Sequence, residues 1–366
     1  MRLTVLDKNF DTLGSVPLFR TLLWSRRYEK LGAFELYSSK DYFDLLNQGR
    51  YFYRNDADEL GVIDEVNYSQ DENGSREAYA KGNFAEVLLS HNVIYPYITV
   101  SGTPEEVMRT LVDRYAINPT DPDRKIPHLR LGELSGTTPA ERIEVQITGA
   151  NLSEKLYEIG NSYEISHRIR YDYLTNDLIF EVWSGKDRRD TQDENSWAIF
   201  SNSFYNIRNV VYNRSDAQYK NYAYVAGAGE GAARTVITVD ARTDPEEERR
   251  ELWVDARDLQ PEDENGNPIP QATYIAQLRQ RGLEKLAEYR RIETVESGVD
   301  HLANLIYKTD FDLGDYSTYI NTEINIETDK RITEAMETYE GGAQELTVTF
   351  GTDEVSTVQQ LIKREV

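Results

Sequence analysis

Cysteine is absent from all 366 residues, which excludes disulfides, thiolate-held metals and a cysteine nucleophile. Histidine is nearly absent: His91, His128, His167 and His301 stand far apart, with no H-x-x-x-H pair and no HExxH string. No stretch approaches the ~18 apolar residues of a membrane-spanning helix. The opening MRLTVLDKNFDTLG alternates like a strand and lacks the apolar run of a signal peptide. Positive charge is in deficit, with 41 Lys and Arg against 64 Asp and Glu, a net of −23. Such a chain repels phosphate backbones and anionic membranes, so duplex gripping and membrane insertion are not expected.

Apolar residues are sparse as well. They make up 39% of the chain, about 38% when Gly replaces Tyr in the count, against roughly 45–50% in typical domains. That suits thin, sheet-rich layers better than one thick core. Aromatics are not scarce: 25 Tyr, 11 Phe and 4 Trp supply the bulk that disordered chains lack. The length predicts two to four domains.

Residues 1–101 read as β structure, with a hairpin of Trp24–Tyr28 and Ala33–Tyr37 about Lys30-Leu31-Gly32. A short helix is expected over Asp41–Asn47. GVIDEVNYSQDENGSREAYAKG is a second hairpin, whose Asn73-Gly74 tolerates the positive φ of a primed turn. Thr103-Pro104-Glu105-Glu106 opens a helix with a capping box, its apolar face Val107, Leu111, Val112 and Tyr115, ending before Asn118-Pro119. A long loop follows, then a helix announced by Asn151-Leu152-Ser153-Glu154. SYEISHRIRYDY and DLIFEVWSG read as strands joined by Leu174-Thr175-Asn176. WAIFSN, FYNIRNVVYN, QYKNYAYVAG and TVITVDA are strands. Pro268–Arg290 is the longest helix, with Tyr274, Leu278, Leu283, Leu286 and Tyr289 as its core face. The remainder returns to β structure, with a short helix carrying Val355, Val358, Leu361 and Ile362. The fold class is α+β and β-rich.

An internal echo joins the two ends. Ile63-Asp64-Glu65 leads to Glu77 and Gly82; Ile332-Thr333-Glu334 leads to Glu345 and Gly351. The Ile-to-Glu separations are 14 and 13 residues and the Glu-to-Gly separations 5 and 6. Both segments are hairpins with apolar alternation. A duplication would place one related barrel at each end of the chain.

Chemical motifs are few. Gly227, Gly229 and Ala232 fit G-x-G-x-x-A after a strand, but a dinucleotide fingerprint must open a helix. Here Thr235-Val236-Ile237-Thr238-Val239 alternates, so a glycine-rich hairpin loop is expected. There is no G-x-S-x-G elbow and no phosphate loop. Carboxylate pairs are the strongest enzymatic reading, with Glu181 beside Trp183, or Asp172 between Tyr171 and Tyr173, resembling sugar-site chemistry. Asp71-Glu72-Asn73-Gly74 and Asp263-Glu264-Asn265-Gly266 lack the ligand series of a calcium loop. No catalytic, cofactor-binding or metal residue is nominated.

Four strings in order carry a family resemblance: LFRTLLWSRRYEKLGAFELYSS, YAYVAGAGEG, FDLGDYSTYI and RITEAMETYEGGAQELTVTFG. Together they resemble the tail hub proteins of long-tailed bacteriophages and related phage-tail-like particles, specifically the siphovirus-type baseplate-hub group. The resemblance runs from about Leu3 to about Gly351. It implies two tail-tube-like β-barrels in one chain with an inserted α/β segment. On that basis residues 1–101 form a first barrel completed by strands in 197–240, and 102–188 an inserted α/β domain. Residues 189–298 add strands and the connecting helix 268–290, and 299–366 form a second barrel with a C-terminal helix.

The resemblance further implies a non-catalytic homotrimeric ring in the virion, assembled in the host cytoplasm. That ring adapts a sixfold tail tube to a threefold tip and encircles a DNA channel without binding DNA specifically. Its partners would be a tail tube or distal tail protein, the tape-measure end, and a tip or spike protein. Relatives continue into fibre or hydrolase extensions; with the chain stopping at Val366, such activity is expected from another chain. Candidate interface elements are the loop Gly227–Ala233, the Asp71–Gly74 tip and the helix Val355–Ile362. A cell-wall glycosidase and a carbohydrate-binding module are the alternatives.

Overall fold

The computed structural model describes all residues except 71, 73, 264, 265, 301–303 and 353–366. Strand accounts for 43% of it and helix for 19%, so the β-rich expectation holds. The chain divides into two compact units, each assembled from separate stretches. Among the described residues the first comprises Met1–Val87, Arg168–Tyr212 and Thr294–Gly351; the second comprises chiefly Leu88–His167 and Asn213–Glu293.

The first unit is organised by a ten-stranded sheet. Its main path runs Ile207–Ser215, Ile292–Val299, Ala343–Thr352, Ile326–Glu340, Phe19–Arg27, Ala33–Ser39, Arg76–Asn83, Glu65–Gln70. Both expected hairpins form, because Phe19–Arg27 and Ala33–Ser39 alternate apolar and polar residues about a tight turn. The expected barrels do not: among the described residues no sheet closes. Instead the two ends of the chain share one sheet, Phe19–Arg27 pairing antiparallel with Ile326–Glu340 from Arg27↔Glu334 to Thr21↔Glu340.

Two cores lie under that sheet. Leu22, Trp24, Phe34, Leu36, Ala78 and Ala80 bury against Leu3, Val5, Leu46 and Phe52. Ile332, Ala335, Leu346, Val348 and Phe350 bury against Phe200, Val295, Phe311 and Tyr319. A four-stranded sheet, Thr12–Ser15, Leu3–Leu6, Tyr51–Arg54, Leu60–Val62, supplies part of the first core. The short helix near residue 41 spans Phe43–Gln48 and adds Leu46.

The second unit is mixed. Pro104–Val112 is helical with the predicted capping box: Thr103 Oγ1 accepts from Glu106 N at 3.2 Å, and Glu106 Oε2 accepts from Thr103 N at 2.8 Å. Asn151 caps Leu152–Ser162 by one bond, its Oδ1 accepting from Glu154 N at 3.3 Å. The segment after Pro119, expected as one loop, holds a single turn at Pro122–Arg124 and a short strand at Leu129–Leu131. Gln271–Ala287 is the longest helix, but its buried face differs from the expectation. Tyr274, Leu278 and Leu286 are buried, whereas Leu283 and Tyr289 are half-buried, and Gln277, Gln280 and Glu284 are buried instead.

The reason is a second stripe of the helix that meets Leu152–Ser162. Buried Glu284 accepts from Lys155 Nζ, and Gln280 bridges Glu284 and the Tyr163 hydroxyl. Burial opposes the Lys155 charge, yet Glu284 and Glu158 together hold its pKa above the usual value. The apolar stripe packs on a three-stranded sheet whose central strand, Tyr222–Ala226, pairs antiparallel with Val236–Asp240 and parallel with Glu251–Asp255. The last of these strands was not anticipated; ELWVD is too short and too acidic to announce itself.

Candidate functional site

The residues that invited an enzymatic reading are engaged elsewhere. Glu181 lies between Arg168 and Arg170, at 3.0 and 2.8 Å. Burial pushes its carboxyl up, but hydrogen bonds from both guanidiniums outweigh that and hold it below the usual carboxylate range. It is therefore a poor general acid. Asp172 Oδ1 accepts from Leu174 N at 2.9 Å and serves the turn. His91 and His128 are exposed, and His167 is buried against the Tyr157 ring, 4.4 Å between centroids. Desolvation drives the His167 imidazole down to about 3. His301 lies outside the described residues. Among the described residues no three His, Asp or Glu converge as a metal site.

The glycine-rich stretch is a hairpin loop, as its alternating continuation predicted. A Cβ on Gly227 would stand 2.3 Å from the Tyr274 hydroxyl, and Gly229 adopts φ +100. Its glycines serve close approach and turning, not a phosphate. In the Asp71–Gly74 tip, Asp71 and Asn73 are outside the described residues, and so is the whole Val355–Ile362 helix.

What remains is the polar face of the large sheet. On Ile326–Glu340, Glu334, Met336, Thr338 and Glu340 alternate with core residues; register carries that face across Arg27, Ser25, Leu23 and Thr21. It continues through Glu35 and Tyr37, then Lys81, Tyr79 and Glu77, to Glu65, Asn67 and Ser69. On the other side it takes in Thr349, Thr347 and Glu345. Four of its carboxylates are paired: Glu334 with Arg27, Glu65 with Lys81, Glu77 with Arg20 and Glu345 with Arg208. Glu35 and Glu340 are left with hydroxyl donors, Tyr37 at 3.1 Å and Thr21 at 3.2 Å. The face is hydrophilic, mildly acidic and poor in apolar side chains.

Among the described residues its two lateral edges are open. Along the path, Glu65–Gln70 and Ile207–Ser215 are the end strands. Their residues are largely exposed, including Tyr68 and Val211. Such edges present unpaired N–H and C=O groups to another chain.

Buried charge holds the sheet's centre together, and sequence reasoning missed all of it. Arg54, 1% exposed, sits between the Trp24 and Tyr339 rings at 5.1 and 5.4 Å from their centroids. It donates to both oxygens of Glu337, at 3.1 and 2.9 Å. Arg26 likewise joins Glu59 and Asp312, each at 2.6 Å. Trp24 beside an alternating run that includes Arg26 was the available signal; Glu59 lies 33 residues from Arg26, and Asp312 and Glu337 lie more than 280 residues from their arginines.

The architecture is that of phage tail proteins. It is similar to the tail protein of Neisseria meningitidis MC58, with TM-score 0.57, 14% identity and 96% of each chain covered. Similar too are the prophage tail protein gp18 of Listeria monocytogenes EGD-e, with TM-score 0.56, 12% identity and 100% and 98% coverage, and the 43 kDa tail protein of prophage MuSo2 from Shewanella oneidensis, with TM-score 0.56, 12% identity and 96% and 98% coverage. At such identities the likeness is one of fold. The chain itself belongs to the siphovirus ReqiPepy6 Gp37-like protein family, whose sequence model matches residues 2–352. No curated protein matches its sequence.

Proposed function

We propose that this chain is a structural hub at the distal end of a phage or phage-like tail, acting as a homotrimeric ring around the DNA channel. The observation that carries the reading is the eight-strand path with a polar, mildly acidic face and two open edges. Four strands of that path come from residues 19–83 and four from residues 207–352, and each set has its own core, which fits two sibling half-sheets. In the ring, the edge Glu65–Gln70 of one copy joins the edge Ile207–Ser215 of the next. Three copies then contribute twenty-four strands and six half-sheets, so a threefold ring offers a sixfold surface to a tail tube.

The barrel expected from the sequence is closed, in this reading, between copies. The polar face lines the bore, where carboxylates and hydroxyls keep the wall hydrated and like-charged to passing DNA. Partners above and below would be the tube or distal tail protein, the tape-measure end and a tip protein. The reading needs no bond-making residue.

The absence of native cysteine makes the test clean. A Ser69→Cys, Val211→Cys variant, oxidised and run without reductant, is expected to give a disulfide ladder that stops at three, with light scattering near three times 42.2 kDa. Monomer alone after assembly with tail tube protein, or a ladder that stops at two, overturns it.

A further inference from the structure

Among the described residues the second unit carries an open sheet face that the hub reading does not use. Gln271–Ala287 covers one side of its three-stranded sheet, burying Val225, Val239 and Val254. The other side bears Thr238, Tyr224 and Trp253 as its central row, set by direct register across the strands. Trp253 is 59% exposed. The flanking rows carry Asp240, Glu251 and Asp255, and each of these is fixed by an arginine: Arg242 at 2.8 Å, Arg249 at 2.8 Å and Arg234 at 2.6 Å. Arg249 also stacks 3.5 Å over the Tyr222 ring and donates to the Tyr224 hydroxyl.

We infer that this face binds a neutral glycan chain. An exposed indole and a neighbouring phenol offer the apolar, π-rich surface on which the C–H face of a pyranose packs. Around them, planar carboxylates and guanidiniums pinned to one another present fixed acceptors and donors for hydroxyl groups, without flexible side chains to order on binding. Charge selects the class of ligand. The ion pairs leave this patch close to neutral on a chain of net charge −23, so a polyanion is repelled and an uncharged polymer is not. A protein partner fits less well, because protein interface cores are depleted of charged residues, and here carboxylates occupy three positions of a small face. The row of Thr238, Tyr224 and Trp253 runs across three adjacent strands, which suits a few residues of an extended chain.

Calorimetric titration of the full-length protein with linear chitohexaose and with cellohexaose tests this. Saturable binding of at least one, with a Kd on the order of 1 mM or tighter, is expected. Trp253→Ala should weaken it by about tenfold or more, while Trp197→Ala, at the other strongly exposed indole, leaves it intact. Thermal unfolding of both variants should match the parent, since neither indole is in a core. The inference is overturned if neither hexasaccharide binds, if binding survives Trp253→Ala, or if Trp253→Ala disturbs assembly between chains while no sugar binds.

Discussion

The hairpins Glu65–Asn83 and Ile326–Thr352 carry similar separations of Ile, Glu and Gly, the first counted from Ile63 just before its hairpin; they lie in one sheet and are used in opposite ways. The later hairpin is central: Ile326–Glu340 has strands on both sides, and its Glu337 is buried beneath Arg54. The earlier one is lateral: Glu65–Gln70 pairs with Arg76–Asn83 and ends the path, its last four residues exposed. The same local pattern therefore yields a keystone at one end of the chain and an edge at the other. Changes in the first should cost the fold, and changes in the second should cost assembly.

The largest expected effect follows from the keystone. Glu337→Ala leaves a buried guanidinium without its main partner and should destabilise the protein by about 3–5 kcal/mol in urea unfolding. A loss below ~1 kcal/mol would break the comparison. Next comes the root of the lateral hairpin, where it is tied to the fold. A Cβ at Gly82 would lie 1.7 Å from the Val62 carbonyl oxygen, so Gly82→Ala should cost about 3 kcal/mol, read from the thermal midpoint.

A pH effect sharpens the same boundary. Glu86, just after the lateral hairpin, is buried, with Oε1 accepting from Ile169 N at 2.9 Å. Desolvation raises its carboxyl to about 7. Because the folded protein binds that proton more tightly than the unfolded chain, this group's contribution is full below about 4.5 and declines as pH rises to about 7. Glu86→Gln should keep the hydrogen bond and flatten stability against pH across that window. An unchanged slope in that interval would show that Glu86 is not its source. Smallest in stability is Ser69→Lys, on the exposed edge, which should shift unfolding by less than about 0.5 kcal/mol. Its effect belongs to assembly: the added charge should suppress the proposed trimer, with light scattering as the readout.

Much of this was legible locally. The Thr103–Glu106 capping box, the Asn151 cap, the hairpin around Lys30–Gly32 and the glycine-rich loop at Gly227 each depend on residues a few positions apart. The polar stripe of Gln271–Ala287 was misjudged, since Gln and Glu read as solvent-facing until a lysine from another helix meets them. The strand Glu251–Asp255 was missed because it is short and both its end positions on the open face, Glu251 and Asp255, are acidic.

Composition and short-range pattern were enough to determine a β-rich, cysteine-free, acidic chain and most of its hairpins and helix starts, because backbone turns and caps answer to near neighbours. Tertiary structure alone decided that the two ends would share one open sheet and that Arg54 would find Glu337, 283 residues along the chain. Register between distant strands is chosen by which side chains can be buried together, and no local spacing encodes that choice.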